Sequence, residues 1–196
     1  GVAQIVVYFL GINYVRLARL RPVTGYAEAY DWTVGVAAPE DDGIFLVEIE
    51  SGRKRLLVSY RQLAGLLRGK RSDISEKHLF INHTLWNRQD NRIYFYVRAD
   101  FEAKQGKVDV PCIVRPDGTG LTMLGQFIGG HPEWEFGSRM IGSVGGRQII
   151  YDVDKQEIAG QIGTPEILPQ PGGDGALSPD GEWFVSGFRI RRENFY

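Results

Sequence analysis

The chain has few features that would support covalent cross-linking or insertion into a membrane. One cysteine, Cys112, among 196 residues excludes an intramolecular disulfide and a cysteine-rich zinc site. The apolar run from Ile5 to Leu10 is too short to cross a bilayer, and it is not part of a recognisable signal peptide. We therefore expect no membrane partner, and the favoured compartment is the cytoplasm.

An excess of charge of either sign is also missing. The chain carries 23 basic and 24 acidic residues, a net charge of -1 at pH 7. This balance provides no general attraction to the phosphates of nucleic acid, so no nucleic-acid partner is expected. The sequence also lacks a nucleophile elbow, a glycine-rich phosphate loop and a Cys-x-x-Cys pair.

What the sequence does contain is a succession of strand-like runs bounded by Gly, Asp, Asn and Pro, which predicts an all-β fold. Near the N terminus we expect a strand pair, Ile5 to Leu10 and Tyr14 to Leu20. The clearest helix candidate is Ser59 to Arg68, where leucines share one side and Ser59 is suited to cap the first turn.

A repeated spacing organises the strands. The segments His83-Thr-Leu-Trp86, His131-Pro-Glu-Trp134 and Asp174-Gly-Ala-Leu177 lie 48 and then 43 residues apart, and each precedes a turn and a β-like run. A period of about 40 to 45 residues carried by four-stranded units is typical of β-propeller blades. The spacing therefore predicts a β-propeller with His83, His131 and Asp174 at equivalent positions of successive blades.

The length of the chain allows about four blades at this period. A partial ring would expose an apolar blade face at each end, so we expect the remaining blades to come from the same polypeptide or from another chain. The prediction is a single propeller domain or fragment over 1–196, with the approximate blade units 1–30 (partial), 31–80, 81–128, 129–171 and 172–196 (partial).

The three equivalent polar residues are candidate metal ligands. Two imidazoles and one carboxylate, from His83, His131 and Asp174, suit a divalent ion such as manganese, iron or zinc. Such a site leaves coordination positions open for a substrate carboxylate. The competing interpretation is structural: the histidines hydrogen-bond to backbone between blades, and Asp174 shapes a glycine-rich turn.

A family resemblance extends this hypothesis. The segments Ile81-Asn82-His83-Thr84-Leu85-Trp86-Asn87, Gly130-His131-Pro132-Glu133-Trp134 and Ser178-Pro179-Asp180-Gly181 resemble the oligogalacturonate lyase family and its uncharacterised bacterial propeller relatives. The resemblance implies a propeller of roughly seven blades. It also implies an axial divalent metal, manganese in the lyases, held by several histidines and a glutamine. His83 and His131 match two of those ligand positions, whereas Asp174 stands where the family pattern has a histidine.

The resemblance implies a metal-dependent lyase that acts on uronate-containing oligosaccharides by β-elimination. An acidic oligosaccharide would then be the partner, and the predicted substrate contacts are Trp86, Trp134, Arg98 and Arg189. The catalytic base stays unassigned, with Arg98, Glu133 and Arg189 as candidates. The alternative function is a non-catalytic propeller scaffold that binds a ligand or a protein, because propellers have many unrelated functions.

Overall fold

The computed structural model describes residues 1–5, 7–190 and 193–195, and for 188–190 and 193–195 only the backbone is described. Strands dominate, as the all-β prediction requires, and they form three sheets. By their contacts the residues divide into two compact units. Unit 1 contains Gly1–Trp86 and Asp90–Met123, and unit 2 contains Asn87–Gln89 and Leu124–Tyr196.

Unit 1 contains two antiparallel sheets. The first has three strands in the order β1 (Tyr8–Ile12), β2 (Gly43–Glu48) and β3 (Lys54–Ser59). The second is a four-stranded meander of β4 (Phe80–Trp86), β5 (Ile93–Ala99), β6 (Val108–Val114) and β7 (Thr122–Met123). All seven residues of β5 are buried, so this strand forms the centre of the unit.

Unit 2 contains one seven-stranded sheet. A second antiparallel meander is formed by β8 (Gly129–Trp134), β9 (Arg139–Val144), β10 (Arg147–Asp152) and β11 (Glu157–Gln161). Strands β12 (Pro171–Leu177), β13 (Phe184–Ile190) and β14 (Glu193–Phe195) continue the sheet, because β12 pairs with β8 in parallel. The strands β4, β8 and β12 each begin within one residue of a predicted unit boundary.

The predicted helix is present as α2 (Tyr60–Arg68). The Ser59 side chain accepts a hydrogen bond from the amide of Gln62, and the Gln62 side chain accepts one from the amide of Ser59, which completes a capping box. Leu63 and Leu67 are buried on the inner face of the helix. A short 3₁₀ helix, Ser72–Glu76, follows α2 and packs against it. No helix in the described ranges is long and apolar enough to span a bilayer.

The predicted strand from Tyr14 to Leu20 is wrong, because this segment forms the helix α1 (Tyr14–Leu20). The Asn13 side chain accepts hydrogen bonds from the amides of Val15 and Arg16 and thereby caps the helix. Strand β1 pairs with β2 instead. The alternation of apolar and basic residues in this segment resembles a strand, but the helix buries a basic residue, Arg16, together with Leu17.

A buried polar network connects α1 to the rest of unit 1. The Arg16 guanidinium is fully buried and lies 4.6 Å from the Tyr60 ring centre. It donates to the Leu79 carbonyl at 2.7 Å and to the Ala37 carbonyl at 2.7 Å. It also donates to the Thr33 hydroxyl at 2.8 Å. One cation thus satisfies acceptors from two separate parts of the chain, the segment 33–37 and Leu79.

Replacing Arg16 with methionine will therefore remove the donor from the buried Leu79 carbonyl and Thr33 hydroxyl and from the part-buried Ala37 carbonyl. We expect Arg16→Met to lower the free energy of unfolding of unit 1 by about 3 kcal/mol. The measurement is chemical denaturation followed by tyrosine and tryptophan fluorescence. The control is Arg61→Met, at an exposed ion pair with Glu40, where we expect a change of at most about 0.5 kcal/mol. Equal effects of the two substitutions would contradict the role assigned to Arg16.

The same network predicts a pH dependence. Burial raises the pKa of Asp31, but hydrogen bonds from the Thr33 hydroxyl, Arg19 and the Thr33 amide outweigh it and lower the pKa to about 2. Ionised Asp31 therefore stabilises the fold above the unfolded value of 3.8, and this contribution disappears as the pH falls toward 2. We expect it to amount to about 2 kcal/mol.

The test is the difference in unfolding free energy between the wild-type chain and Asp31→Asn, measured from pH 6 to the lowest pH at which the chain stays folded. The difference should shrink as the pH falls below about 4. Burial raises the pKa of Asp42, which gives that group the opposite pH dependence, but Asp42 is present in both chains. A difference that is constant with pH would contradict the assignment.

Candidate functional site

The first predicted ligand, His83, lies at a β-bulge in unit 1. The register of β4 and β5 shifts between Asn82, which faces Tyr96, and Leu85, which faces Tyr94. His83 is half-buried and has a φ of 56°, which is unusual for a residue with a side chain. Its ring meets the Tyr96 ring edge-on at 5.7 Å between centroids. A bulge of this kind redirects a side chain away from the regular alternation of the strand.

Arg98 contacts the same Tyr96 ring as His83. Its guanidinium donates to Asp109 at 2.7 Å and to the side-chain oxygen of Asn82 at 2.8 Å. It also lies 4.4 Å from the Tyr96 ring centre, and the residue is only 7% exposed. These contacts are typical of a residue that stabilises the fold, and the predicted contact between Arg98 and a substrate stays a prediction.

The other two predicted ligands, His131 and Asp174, come together in unit 2. They are register partners of the parallel pair β8 and β12. The imidazole Nδ1 of His131 contacts the carboxylate Oδ1 of Asp174, and both side chains are exposed. The two residues separated by 43 positions in sequence are thus direct neighbours on one sheet.

Bulges also interrupt both of these strands at the candidate ligands. The register of β8 against β9 shifts between Gly129 and Glu133, and that of β12 against β13 shifts between Pro171 and Gly175. The bulge in β8 contains His131, and the bulge in β12 contains Asp174. All three predicted ligands therefore occupy the same kind of position, a bulge in the first strand of a meander.

Glycines allow β8 and β12 to approach each other and their neighbours. A Cβ at Gly130, where φ is 75°, would lie 3.2 Å from the Cα of Gly172. A Cβ at Gly173 would lie 2.5 Å from the carbonyl oxygen of Gly187 in β13. The glycines around Asp174 therefore allow close packing of the strand backbones, because larger residues would force the strands apart.

The described donors form a pair rather than a complete ligand set. His83 belongs to unit 1, while His131 and Asp174 belong to unit 2. Among the described residues, no three His, Cys, Asp or Glu side chains form a group that could hold a metal ion. The donors that lie together are therefore one imidazole nitrogen and one carboxylate, which fit part of a coordination sphere for a borderline or hard divalent ion.

The predicted aromatic contacts are buried. Trp86 is 7% exposed within the core of unit 1, and Trp134 is 2% exposed in unit 2. An indole in this environment packs against the core rather than presenting its face to a sugar. Their predicted role in substrate binding stays a prediction. The side chain of Arg189 lies outside the described residues.

Two further titratable groups have displaced pKa values. Burial raises the pKa of the Glu133 carboxyl in β8, and Arg88 opposes this shift. Burial raises the pKa of the Cys112 thiol to about 12, so this cysteine stays protonated and unreactive. Of the candidate bases predicted from sequence, Glu133 is the carboxyl group, and burial raises its pKa.

Sequence reasoning did not identify Arg88 as a functional residue. Its guanidinium donates to the carbonyl oxygen of Trp134 at 3.2 Å and to that of Leu177 at 2.7 Å. It also donates to the carbonyls of Ser178 at 2.9 Å and Pro179 at 3.2 Å. All four acceptors are backbone atoms, so no side-chain motif in the sequence indicates this contact.

No model of a known protein family matches the sequence, and no curated protein matches it significantly. The resemblance to the oligogalacturonate lyases therefore rests on sequence motifs such as those around His83, His131 and Ser178.

The backbone of His83 leads to a testable prediction. Asparagine tolerates positive φ, whereas a β-branched residue does not. Both His83→Asn and His83→Val remove the ring contact with Tyr96, so comparing them isolates the backbone effect. We expect His83→Val to unfold with a free energy about 1 to 2 kcal/mol lower than His83→Asn. Equal stabilities in denaturant titrations would show that position 83 does not have positive φ.

Proposed function

We propose that this chain forms part of a β-propeller of roughly seven blades. Two complete four-stranded antiparallel meanders, β4 to β7 and β8 to β11, support the proposal. The parallel pairing of the first strand of one meander with β12 supports it further, because successive blades of a propeller place their first strands side by side around the axis.

We further propose that His131 and Asp174 bind a divalent cation, manganese first and iron or zinc as alternatives. The observation that carries this proposal is the direct contact of His131 with Asp174 on neighbouring parallel strands. The bulge at each of these two residues supports it, because bulges are frequent where a strand must redirect a functional side chain.

The proposed activity is β-elimination on an acidic oligosaccharide. A bound cation would acidify the proton on the carbon next to a uronate carboxylate. Elimination transfers that proton to a base, breaks the bond to the glycosidic oxygen and leaves a carbon-carbon double bond, while the departing oxygen takes up a proton. Glu133 is the proposed base, because it follows His131 by two residues and burial raises its pKa.

A second candidate is a non-catalytic propeller scaffold that binds a ligand or a protein. The burial of Trp86 and Trp134 favours it, since neither indole presents a face to a sugar ring. A lyase would convert an oligosaccharide into product and a scaffold would not. Metal binding alone does not distinguish these two candidate functions.

Manganese binding tests the proposed site. We expect the 196-residue chain to bind Mn²⁺ and expect His131→Ala and Asp174→Asn each to weaken binding at least about tenfold, because each removes one donor. Electron paramagnetic resonance of free Mn²⁺ during titration gives the affinities. His78→Ala, which changes the histidine outside the three bulges, is the control and should bind like the wild-type chain. Absence of binding, or equal binding by all variants, would refute the site.

Turnover is tested separately with uronate-containing oligosaccharides in the presence of Mn²⁺. The lyase proposal predicts a rise in ultraviolet absorbance from the unsaturated product, and Glu133→Gln should reduce the rate at least about a hundredfold. Saturable Mn²⁺ binding without product formation from any of the oligosaccharides tested would favour the non-catalytic scaffold.

A further inference from the structure

The segment Asn87–Gln89 follows β4 directly, yet it packs with unit 2. The Asn87 side chain donates to the carbonyl of Gly137 at 3.1 Å. The Gln89 side chain accepts from the amide of the same glycine at 3.1 Å and from Asn87 at 3.2 Å. Both backbone groups of Gly137 are thus engaged, and this contact fixes the position from which Arg88 reaches the strands.

The acceptors of Arg88 occupy equivalent places in two repeats. Trp134 lies three residues after His131, and Leu177 lies three residues after Asp174. Arg88 donates to both carbonyls, at the ends of β8 and β12. It therefore connects the two strands that carry His131 and Asp174, about 10 Å along the strands from that pair.

The strands need such a connection because their own pairing is short. One pair of register partners, His131 with Asp174, joins β8 and β12 in the described structure. By comparison, the antiparallel strands β9 and β10 share six register pairs. A single bridge leaves the relative alignment of β8 and β12 weakly determined, so a second point of attachment has a large effect on it.

The chemistry of arginine suits this attachment. The planar guanidinium has five N–H donors in a fixed fan, which allows it to reach carbonyls of both strands at once. Its plane also lies near the Phe136 ring, with 5.3 Å between the guanidinium carbon and the ring centre. A lysine ammonium at this position has three donors at one point and lacks the span of the guanidinium.

We infer that Arg88 is a positioning residue that ties the ends of β8 and β12 together and thereby keeps His131 and Asp174 side by side. The purpose of that alignment, to present a ligand-binding pair, rests on the proposed function. The alignment itself does not, and it can be measured without any ligand.

Disulfide cross-linking measures it directly. In the double variant His131→Cys with Asp174→Cys, the two thiols occupy register partners, and mild oxidation should form an intramolecular disulfide. Cys112 does not compete, because it is buried and its thiol pKa is about 12. We expect Arg88→Met in this background to slow cross-linking about tenfold, because the charged hydrogen bonds to both strands are lost. Arg88→Lys should slow cross-linking by a smaller factor. This variant replaces Arg88→Met in the experiment if Arg88→Met does not fold.

The matched control separates alignment from general stability. Ile149→Ala removes a buried side chain from β10 in the same unit and leaves every Arg88 contact in place. Its cross-linking rate should stay within about twofold of the parent double variant under native conditions. Equal slowing by Ile149→Ala and Arg88→Met would overturn the inference, as would a failure of the parent to cross-link or a rate independent of Arg88.

Manganese titration of Arg88→Met in the otherwise wild-type chain completes the comparison. We expect its affinity to fall by about the same factor as the cross-linking rate, while Ile149→Ala binds normally. Slower cross-linking in Arg88→Met, combined with no Mn²⁺ binding by the wild-type chain, would refute the proposed function and support the inference about Arg88.

Discussion

The parallel contact between β8 and β12 is the interaction on which the candidate site depends. It brings His131 and Asp174 from separate repeats onto neighbouring strands, and it joins the second meander to the strands that follow. The contact is possible because Gly130 and Gly172 leave room for close backbone approach. The contact is also short. Arg88 connects the same two strands at their ends by hydrogen bonds to the carbonyls of Trp134 and Leu177.

Each of the three first strands adapts its backbone near the candidate ligand. Positive φ occurs at His83 in β4, at Gly130 beside His131 in β8, and at Gln170 immediately before β12. A strand without such a bulge would alternate its side chains regularly between its two faces. The bulges interrupt that alternation in each strand, at a cost in backbone strain where a residue with positive φ is not glycine. Backbone strain alone would favour glycine at position 83, because glycine adopts positive φ without a steric penalty.

Much of the fold was predictable because the relevant signals are local. Strands bounded by turn residues and the Ser59 cap of α2 each depend on a few adjacent residues. The error at Tyr14–Leu20 has a tertiary cause: the pattern resembles a strand, but Asn13 caps a helix whose buried Arg16 finds acceptors elsewhere in the chain. Periodicity cannot indicate those acceptors.

The site was predictable only in part for the same reason. The repeat spacing predicts matching positions for His131 and Asp174 in successive repeats, and the structure places the two side chains in contact. The spacing could not show that Trp86 and Trp134 are buried, because an indole has the same sequence signature in a core as on a surface. Arg88 was unpredictable because all its hydrogen-bond acceptors are backbone carbonyls.

Anomalous diffraction from a crystal soaked in Mn²⁺ can show whether His131 and Asp174 form the proposed cation-binding pair. We expect an anomalous peak at about 2.0 to 2.3 Å from both the His131 Nδ1 atom and an Asp174 carboxylate oxygen. A map in which Mn²⁺ binds elsewhere, or in which the two side chains point apart with no peak between them, would refute the proposed pair.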